Sequence, residues 1–450
     1  MKTIFISIFH GHISRNILLT GILGYLRAEK SLSVVILCPE FKQAYYEREF
    51  GGGNVVFVGV KAFVPTSIDR LFRKVYYFFV DTETVKLIQG ENYLLAKQYI
   101  KYTFNRGLTM ILGNVKPLRE LVRFLDRILV SPQGFDSVFN IYKPDLVFIS
   151  SITSDQDSML LRGASKRGVK TLGMVRSWDN FSVNKGNVRI YPDKFLVHNK
   201  YLLEDSIKLA DFDREDITIV GMPHFDYYVN EARFSRQELF QKIGVSENKK
   251  ILLFLMIGLS SSNLDGYVVR RIEEWIQNKP EFRDFELVVR PHPNTKKLVN
   301  VGAGTVVNYP NVIEFESDRI TDREFTKEDL DVYASLIAHS TVVISYQSTA
   351  LVDSAAFNKP IISIAFDEVP GLPYLQSIIH QYDYTHLQPI LAAKGVKIVY
   401  NENDLSQAIL DYSLHPEHDE SGRKIIVEEQ CFKLDGMASF RVVEEIKKLL

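Results

Sequence analysis

Cysteine is nearly absent from this sequence, which has only Cys38 and Cys431 among 450 residues. Two cysteines cannot build a disulfide framework, and these two do not follow the spacing of a zinc site, so we expect a reducing compartment. No segment approaches the roughly 20 consecutive apolar residues that a membrane-spanning helix needs. The apolar stretch 4–9 is short and leads into His10 rather than a small-residue cleavage site. These features favour a cytoplasmic protein that begins with a buried strand.

The sequence also lacks an excess of charge of either sign. Its 54 lysines and arginines against 55 aspartates and glutamates leave a formal net charge of −1. No overall field would therefore draw nucleic acid to the molecule. Hydrophobic residues make up 46% of the chain, with 29 phenylalanines and 22 tyrosines, which excludes a disordered protein. At roughly 150 residues per domain, the length predicts two or three globular domains.

Short apolar runs alternate with amphipathic segments of helix length in the first half of the chain. This alternation is typical of a parallel sheet covered by helices on both faces. The predicted helices are 16–29, 157–167 and 200–209. The predicted strands are 3–9, 33–37, 54–58, 146–150, 171–175, 194–197 and 217–220.

The same alternation starts again in the second half and predicts a second doubly wound α/β domain. Its predicted strands are 250–256, 286–289, 342–345 and 360–365, and its predicted helices are 268–277, 330–338 and 349–357. Turn formers between 221 and 248 mark the boundary, and we place the first domain at 1–225 and the second at 226–427. Doubly wound domains bind ligands at the carboxyl ends of their strands, so we expect the site in a cleft between the two.

Residues 60–130 interrupt this scheme with a mostly helical pattern. They include the aromatic run Tyr76-Tyr77-Phe78-Phe79 and carry 12 lysines and arginines against 6 aspartates and glutamates. A basic, aromatic helical insertion can lie on an anionic membrane surface or bind a phosphate-bearing acceptor. An ordinary helical layer, with aromatic residues in the core and charges in solvent, gives the same pattern.

A histidine between two prolines follows the predicted strand 286–289, in Arg290-Pro291-His292-Pro293. The prolines fix the backbone and place a short polar side chain just beyond the strand end. His292 can donate to a phosphate oxygen, and the Arg290 guanidinium can bind the same group through two parallel hydrogen bonds. The alternative is a rigid turn whose histidine only caps a loop.

Two further positions predict an anion site in the second domain. Ser348 and Thr349 lead from the strand 342–345 into a helix, whose first N–H groups attract anions, although serine and threonine are also the usual helix caps. The loop with Gly258 and Ser260 has small residues that let the backbone approach a ligand. It lacks the Gly-Lys-Ser/Thr ending of a nucleotide-triphosphate loop.

These motifs resemble the donor-binding half of two-domain GT-B glycosyltransferases. The resemblance is closest to the surface-polysaccharide and CDP-glycerol glycerophosphotransferase-like group, and it rests on 290–293, 336–340, 348–356, 359–362 and 435–441. It implies a GT-B-like fold of two Rossmann-like domains facing across a cleft, with the insertion 60–130 in the first. It also implies that His292, Ser348 and Thr349 hold the pyrophosphate of a nucleotide-activated donor, and that 428–450 forms a helix packing back toward the first domain.

The first half resembles this group more loosely and offers its own candidates for the acceptor side. His10, His12 and Arg15 lie between the first strand and the first helix. A histidine there with a pKa near neutrality can deprotonate an acceptor hydroxyl. The alternative is a turn with solvated histidines. We treat His198 and His224 as structural.

Two later loops offer further acceptor-side residues. Asp155 and Asp157 follow the strand 146–150. One of them can act as the base, and Asp155 can contact the acceptor, or they only cap the next helix. Trp178 and Asp179 follow the strand 171–175, where an indole can form a sugar platform and a carboxylate can act as a base. Buried packing of Trp178 with an Asx turn at Asp179 is the alternative. We place Asp179 ahead of His10 as the catalytic base.

The sequence thus predicts a glycosyltransferase that moves a sugar from a nucleotide-activated donor to a hydroxyl on a glycan or lipid-linked acceptor in cell-surface polysaccharide assembly. The spacing of histidines, cysteines and carboxylates indicates no metal site, so a metal-independent reaction without a cofactor is expected. Peripheral membrane contact through 60–130 is part of this hypothesis. The alternatives are a CDP-polyol phosphotransferase, a nucleotide-sugar 2-epimerase and a nucleotide-binding protein without catalysis.

Overall fold

The structure is a computed structural model of the chain. It describes residues 1–183, 188–230, 233–257, 264–292, 305–315 and 323–450, apart from the side chains of His12 and Asn230. The chain forms two compact units. The first consists mainly of Met1–Val229 and Glu429–Leu450, and the second of Asn230–Glu314 and Arg323–Glu428.

The first unit alternates strands and helices along the chain. Its elements up to the boundary are β1 (Lys2–Ser7), α1 (Gly11–Leu18), α2 (Gly21–Ala28), β2 (Leu32–Pro39), α3 (Gln43–Phe50), β3 (Val55–Val60), α4 (Ser67–Tyr76), α5 (Glu83–Leu94), α6 (Tyr99–Asn114), α7 (Lys116–Leu129), α8 (Asp136–Tyr142), β4 (Leu146–Ile149), α9 (Asp155–Lys166), β5 (Lys170–Met174), β6 (Lys194–Val197), α10 (Lys200–Ala210), β7 (Ile217–Ile219) and α11 (Pro223–Asn230).

The seven strands of this unit form one parallel sheet in the order β3-β2-β1-β4-β5-β6-β7. Helices cover both faces, so the central strands are apolar without alternation, and residues Val34 to Leu37 of β2 are all 0% exposed. The order reverses its direction between β1 and β4, and a doubly wound sheet opens a ligand crevice at such a point.

The second unit repeats this architecture with fewer strands. Its elements are α12 (Arg236–Ile243), β8 (Lys250–Leu255), α13 (Leu264–Asn278), β9 (Phe285–Arg290), β10 (Thr305–Val307), β11 (Val312–Ile313), β12 (Glu324–Phe325), α14 (Lys327–His339), β13 (Val342–Ser345), α15 (Ala350–Ala356), β14 (Ile361–Ile364), α16 (Gln388–Ala392), β15 (Lys397–Val399), α17 (Glu402–Leu414) and α18 (Glu420–Gln430). Six strands form a parallel sheet in the order β10-β9-β8-β13-β14-β15, and β11 pairs antiparallel with β12.

A last helix, α19 (Ala438–Leu449), returns to the first unit. Its residues Val442, Val443 and Ile446 join the core around β1 and β2. The Asp226 carboxylate accepts hydrogen bonds from the first N–H groups of α19 at 2.9 and 2.6 Å, which caps the helix. The side chains of Cys38 and Cys431 are both buried.

The prediction of two doubly wound α/β units is confirmed, and the helical insertion 60–130 is present as α4 to α7. The predicted single helix 16–29 is wrong, because the chain forms α1 and α2 with a break in which the Thr20 hydroxyl caps α2. The short strands β10, β11, β12 and β15, of two or three residues each, were not predicted. Among the described residues, no helix combines the length and the apolar character that a membrane crossing requires.

Candidate functional site

The carboxyl edge of the second sheet gathers residues that follow β9 and β13. β8 lies between these strands, and the strand order reverses its direction between β8 and β13. Hydrogen bonds join the three strand ends. The Met256 N–H donates to the Arg290 carbonyl at 3.1 Å, and the Ser345 hydroxyl donates to the Leu255 carbonyl at 3.0 Å. Residues that follow β9 and β13 therefore emerge at the same edge, one strand apart.

The loop after β13 places two hydroxyl groups in front of α15. The Thr349 side chain is exposed and, among the described residues, accepts no capping hydrogen bond from the helix. Ser348 is half-buried, and its hydroxyl oxygen lies 3.3 Å from that of Ser345. The Leu351 and Val352 N–H groups already donate to the Ser348 and Thr349 carbonyls at 3.1 and 2.9 Å. Of the donors expected here, the two hydroxyls are therefore the ones that can donate to an anion.

His292 lies just after the end of β9 and is half-buried. Burial lowers the pKa of His292 below its ordinary value of 6.5. The imidazole is therefore neutral at pH 7, with one protonated ring nitrogen that can donate to a phosphate oxygen. This neutral donor matches the role predicted from the sequence, which stays a prediction.

Arg290 is positioned differently from the expectation. Its side chain is 6% exposed, and its guanidinium contacts both carboxylate oxygens of Asp329 at 2.7 Å. It also donates to Asn308 and lies over the Tyr333 ring. Both hydrogen bonds to Asp329 come from the Arg290 Nη2 group, so the guanidinium that we predicted to bind a phosphate is bound to this carboxylate. In this geometry Arg290 anchors the strand end that carries His292.

Two other predicted donor-site residues, Gly258 and Ser260, lie outside the described residues. Two residues at this edge were not predicted from the sequence as site residues, namely Gln347 and Gln381. The Gln347 amide donates a hydrogen bond to the Gln381 side chain. This contact ties the loop after β13 to the segment that follows β14. Gln347 had a visible signal in its position beside Ser348, whereas Gln381 lies 34 residues away and had none.

The acceptor-side candidates of the first unit begin at the end of β1. His10 is half-buried and immediately precedes α1 with an extended backbone. His12 and Arg15 lie inside α1, so their predicted place in a loop is wrong. The helix begins this early because Ile13, which is 1% exposed, packs into the core.

Two histidines that we treated as structural lie near each other, and His224 also lies near Arg15. His198 follows β6, is 2% exposed, and burial lowers its pKa to about 4. Burial, together with the nearby positive charge of Arg15, holds the pKa of His224 well below 6.5. The His224 Nε2 lies 3.0 Å from the Tyr228 hydroxyl. Both imidazoles are neutral at pH 7. His198 directly follows a predicted strand, and this position could have marked it in the sequence as a candidate site residue.

Asp155 lies at the first position of α9, where Ser154 is the cap. Its carboxylate pairs with Arg73 at 3.1 Å and lies 3.8 Å from Arg189. Neither sequence interpretation anticipated this ion pair. A role of Asp155 in acceptor binding stays a prediction.

Asp157 is the most perturbed carboxyl group at this edge of the first sheet. It is 1% exposed, and burial raises its pKa to about 7, against the opposing effects of Ser7, Ser154 and Arg176. A carboxyl group that titrates near neutrality beside a strand end is a functional-site candidate. From the sequence we weighed Asp157 together with Asp155 and preferred a capping role, because the sequence shows only carboxylates in the first turn of a helix.

The loop after β5 presents Trp178 and Asp179, which are both half-buried. The turn is built by Asn180, whose side-chain oxygen accepts from the Arg176 N–H at 3.0 Å and from the Ser177 N–H at 2.6 Å. The Asx-type turn that we considered for Asp179 therefore belongs to its neighbour. This arrangement is compatible with a base at Asp179, which stays a prediction.

One group of potential metal ligands was not anticipated. In the part of the chain that the structure describes, His415, Glu417 and His418 place one ligand atom each within 4.8 Å of one another. All three are exposed, and His418 also hydrogen-bonds to Asp411 at 3.0 Å, which raises its pKa. The expected metal independence of the reaction stays a prediction.

Residues 170–448, more than half of the chain, match the family model described as CDP-glycerol:poly(glycerophosphate) glycerophosphotransferase. The matched segment includes all the donor-side candidates and also Trp178 and Asp179. A comparison with curated proteins finds no significant match.

Solved structures with this fold include epimerases and glycosyltransferases. The UDP-GlcNAc 2-epimerase of Neisseria meningitidis bound to UDP-GlcNAc matches with a TM-score of 0.55 and 12% identity, with 100% of both chains covered. MnaA of S. aureus with UDP gives 0.54 and 15%, covering 100% of this chain and 96% of that one. A glycosyltransferase of Rickettsia africae gives 0.51 and 11%, covering 100% and 98%. At these identities the likeness concerns the fold, and it confirms the predicted GT-B-like architecture.

Proposed function

Because this chain belongs to the CDP-glycerol:poly(glycerophosphate) glycerophosphotransferase family, we propose that it transfers a polyol phosphate from a CDP-activated donor to an acceptor hydroxyl. From the sequence, we placed sugar transfer first and this reaction second. The family match reverses that order. Both reactions use a nucleotide diphosphate donor, and they differ in the bond that breaks.

The observation that carries the proposal is the anion-binding geometry at the ends of β9 and β13, within the matched segment. A neutral His292 and the Ser348 and Thr349 hydroxyls supply hydrogen-bond donors at one edge of the sheet. Such donors stabilise the negative charge that develops on a departing phosphate. A base is not required on this side, because the proton to be removed belongs to the acceptor.

In the proposed reaction, the acceptor oxygen attacks the phosphorus that carries the polyol. A new P–O bond forms, the P–O bond to the nucleotide breaks, and CMP leaves with the electron pair. The hydroxyl proton passes to a base, for which Asp179 and His10 are our candidates. We propose that the charge on CMP is balanced by the donors of the second unit without a metal ion.

The second candidate is transfer of a sugar, in which the bond from the anomeric carbon to oxygen breaks and a nucleoside diphosphate leaves. The same phosphate-binding residues serve this reaction, and glycosyltransferases share the fold. We further propose that the acceptor is a glycan or a lipid-linked hydroxyl compound, and that the protein works peripherally at a membrane during surface-polymer assembly.

Analysis of the released nucleotide tests the proposal. The purified protein is incubated with CDP-glycerol or with nucleotide sugars, with and without a hydroxyl acceptor, and nucleotides are separated by chromatography. Acceptor-dependent release of CMP that persists in EDTA is the expected result. Release of a nucleoside diphosphate from a nucleotide sugar would favour the second candidate, and conversion of the sugar without an acceptor would identify an epimerase. Ser348→Ala/Thr349→Ala is expected to reduce turnover, with Ser413→Ala as the control, because Ser413 is a half-buried serine of α17.

A further inference from the structure

Helix α7 exposes its apolar face to solvent and buries its polar face. The side chains that face the protein include Arg119, Arg123 and Asp126, which are 4%, 7% and 0% exposed. A helix on the surface of a globular domain normally has the opposite arrangement. The exposed apolar residues of α7 are Leu121 (51%), Phe124 (50%), Leu125 (40%), Ile128 (60%) and Leu129 (54%).

Two arginines of α7 are held inside by one carboxylate. Arg119 contacts the Asp211 carboxylate at 2.6 and 2.8 Å, and Arg123 contacts it at 2.7 Å. All three side chains are buried, so each charge depends on its partner for compensation. Arg123 also lies over the Phe79 and Tyr191 rings.

The next turn of α7 is fixed in the same way by Asp126. Its carboxylate contacts Arg162 at 2.7 Å and Arg189 at 2.8 and 3.0 Å. Rotation of α7 to bury its apolar face would separate these buried charges from their partners and leave each of them uncompensated inside the protein. The exposure of the apolar face is therefore a fixed property of the fold.

Helix α6, which packs next to α7, exposes apolar side chains as well. Ile100 is 88% exposed and Phe104 is 65% exposed. Scattered exposed apolar residues are normal on a protein surface, but contiguous sets on neighbouring helices mark an interaction site. We define the apolar face as Ile100, Phe104, Leu121, Phe124, Ile128 and Leu129.

Basic side chains accompany the apolar face. Lys97 and Lys101 near the start of α6, and Lys116 and Arg127 toward the two ends of α7, are exposed. Against them, α7 has one exposed acidic residue, Glu120, which lies 3.8 Å from Lys116. Two copies of this surface would bring like charges together, whereas an anionic bilayer offers complementary charge.

We propose that the apolar face of α6 and α7 docks into the interfacial region of a bilayer that contains anionic lipid. The apolar side chains enter the boundary between headgroups and acyl chains, and the flanking lysines and arginines contact lipid phosphates. This inference rests on the proposed function, in which the acceptor is presented at a membrane, although docking itself requires neither donor nor acceptor.

Vesicle flotation tests the docking surface with the full chain. Wild-type protein is expected to float with vesicles of phosphatidylglycerol in phosphatidylcholine, and to float less with pure phosphatidylcholine or at high salt. Phe124→Ser/Ile128→Ser is expected to lower the partition coefficient about tenfold or more, because two apolar side chains no longer leave water. Leu414→Ser is the matched control, since Leu414 is 70% exposed in the second unit. Thermal melts check that both variants fold like the wild type.

Several outcomes would overturn the inference. The inference is wrong if the wild-type protein does not bind phosphatidylglycerol vesicles at low salt. It is also wrong if Phe124→Ser/Ile128→Ser floats with the vesicles as the wild type does. A wild-type dimer in sedimentation that the double variant dissociates would assign the face to a second copy instead. Nucleotide release with a water-soluble acceptor is measured on the same proteins. Lost docking with intact turnover leaves the proposed function standing, and intact docking without turnover contradicts only the proposed function.

Discussion

Replacement of Asp126 by asparagine removes one charge from the network that holds α7. Asp126 is 0% exposed, and its partners Arg162 and Arg189 are 3% and 5% exposed at the side chain. The asparagine side chain keeps the shape but leaves the positive charge of Arg162 without its partner, while Arg189 retains only Asp69 at 3.3 Å and a more distant carboxylate. Loss of one partner from a buried pair costs about 3–5 kcal/mol.

A fluorescence assay can isolate this effect in the first unit. The chain has two tryptophans, of which Trp178 lies in the first unit and Trp275 in the second. In a Trp275→Phe background, Trp178 reports urea unfolding of the first unit. With an m-value of about 3 kcal/mol/M, Asp126→Asn is expected to lower the urea midpoint by roughly 1–1.7 M.

The control is an ion pair on the surface with a similar distance between its charged atoms. Arg48 and Glu49 lie 2.8 Å apart with exposed side chains, and Glu49→Gln is expected to change the stability by less than about 1 kcal/mol. If Asp126→Asn shifts the midpoint no more than this control, the buried network does not fix the orientation of α7.

Two other substitutions probe the carboxyl edge of the first sheet. Because the folded pKa of Asp157 is raised to about 7, its stabilising contribution is complete below about pH 4 and is lost as the pH rises to about 7. Urea titration at each pH measures the stability of the wild type relative to Asp157→Asn. We expect this relative stability to fall by an amount on the order of 4 kcal/mol between about pH 4 and pH 7. A difference that stays constant with pH would refute the raised pKa of Asp157. Asn180→Ala leaves the Arg176 and Ser177 N–H groups without their acceptor, so we expect a loss of about 1–3 kcal/mol and a red-shifted emission of Trp178. Unchanged emission and stability would show that another contact shapes this turn.

The strands could be predicted because the central ones are buried on both faces and therefore appear as continuous apolar runs, as in residues 34–37. The break between α1 and α2 could not, because the apolar periodicity continues on both sides of Thr20, and only the tertiary packing shows that its hydroxyl starts a new helix. The amphipathic pattern of α7 was visible, but periodicity alone does not show which face is buried. That depends on Asp211, which lies far from α7 in sequence.

The candidate site was predicted by strand-end position, and its side-chain partners were not. His292 and Ser348 lie at one sheet edge because parallel strands place their carboxyl ends together. Arg290 has the residue type of a phosphate ligand, yet Asp329, 39 residues away, binds its guanidinium. Long-range pairs of this kind have no local pattern.

The central claim is that the edge formed by β9 and β13 binds the phosphates of a nucleotide-activated donor. Calorimetric titration with CDP-glycerol and CDP tests it most directly, on the wild type, on His292→Ala and on His415→Ala, an exposed histidine of the same unit. We predict that the wild type and His415→Ala bind alike and that His292→Ala binds about tenfold or more weakly, because a hydrogen bond to a charged oxygen is lost. Binding that His292→Ala leaves unchanged, or no binding by the wild type, would contradict the claim.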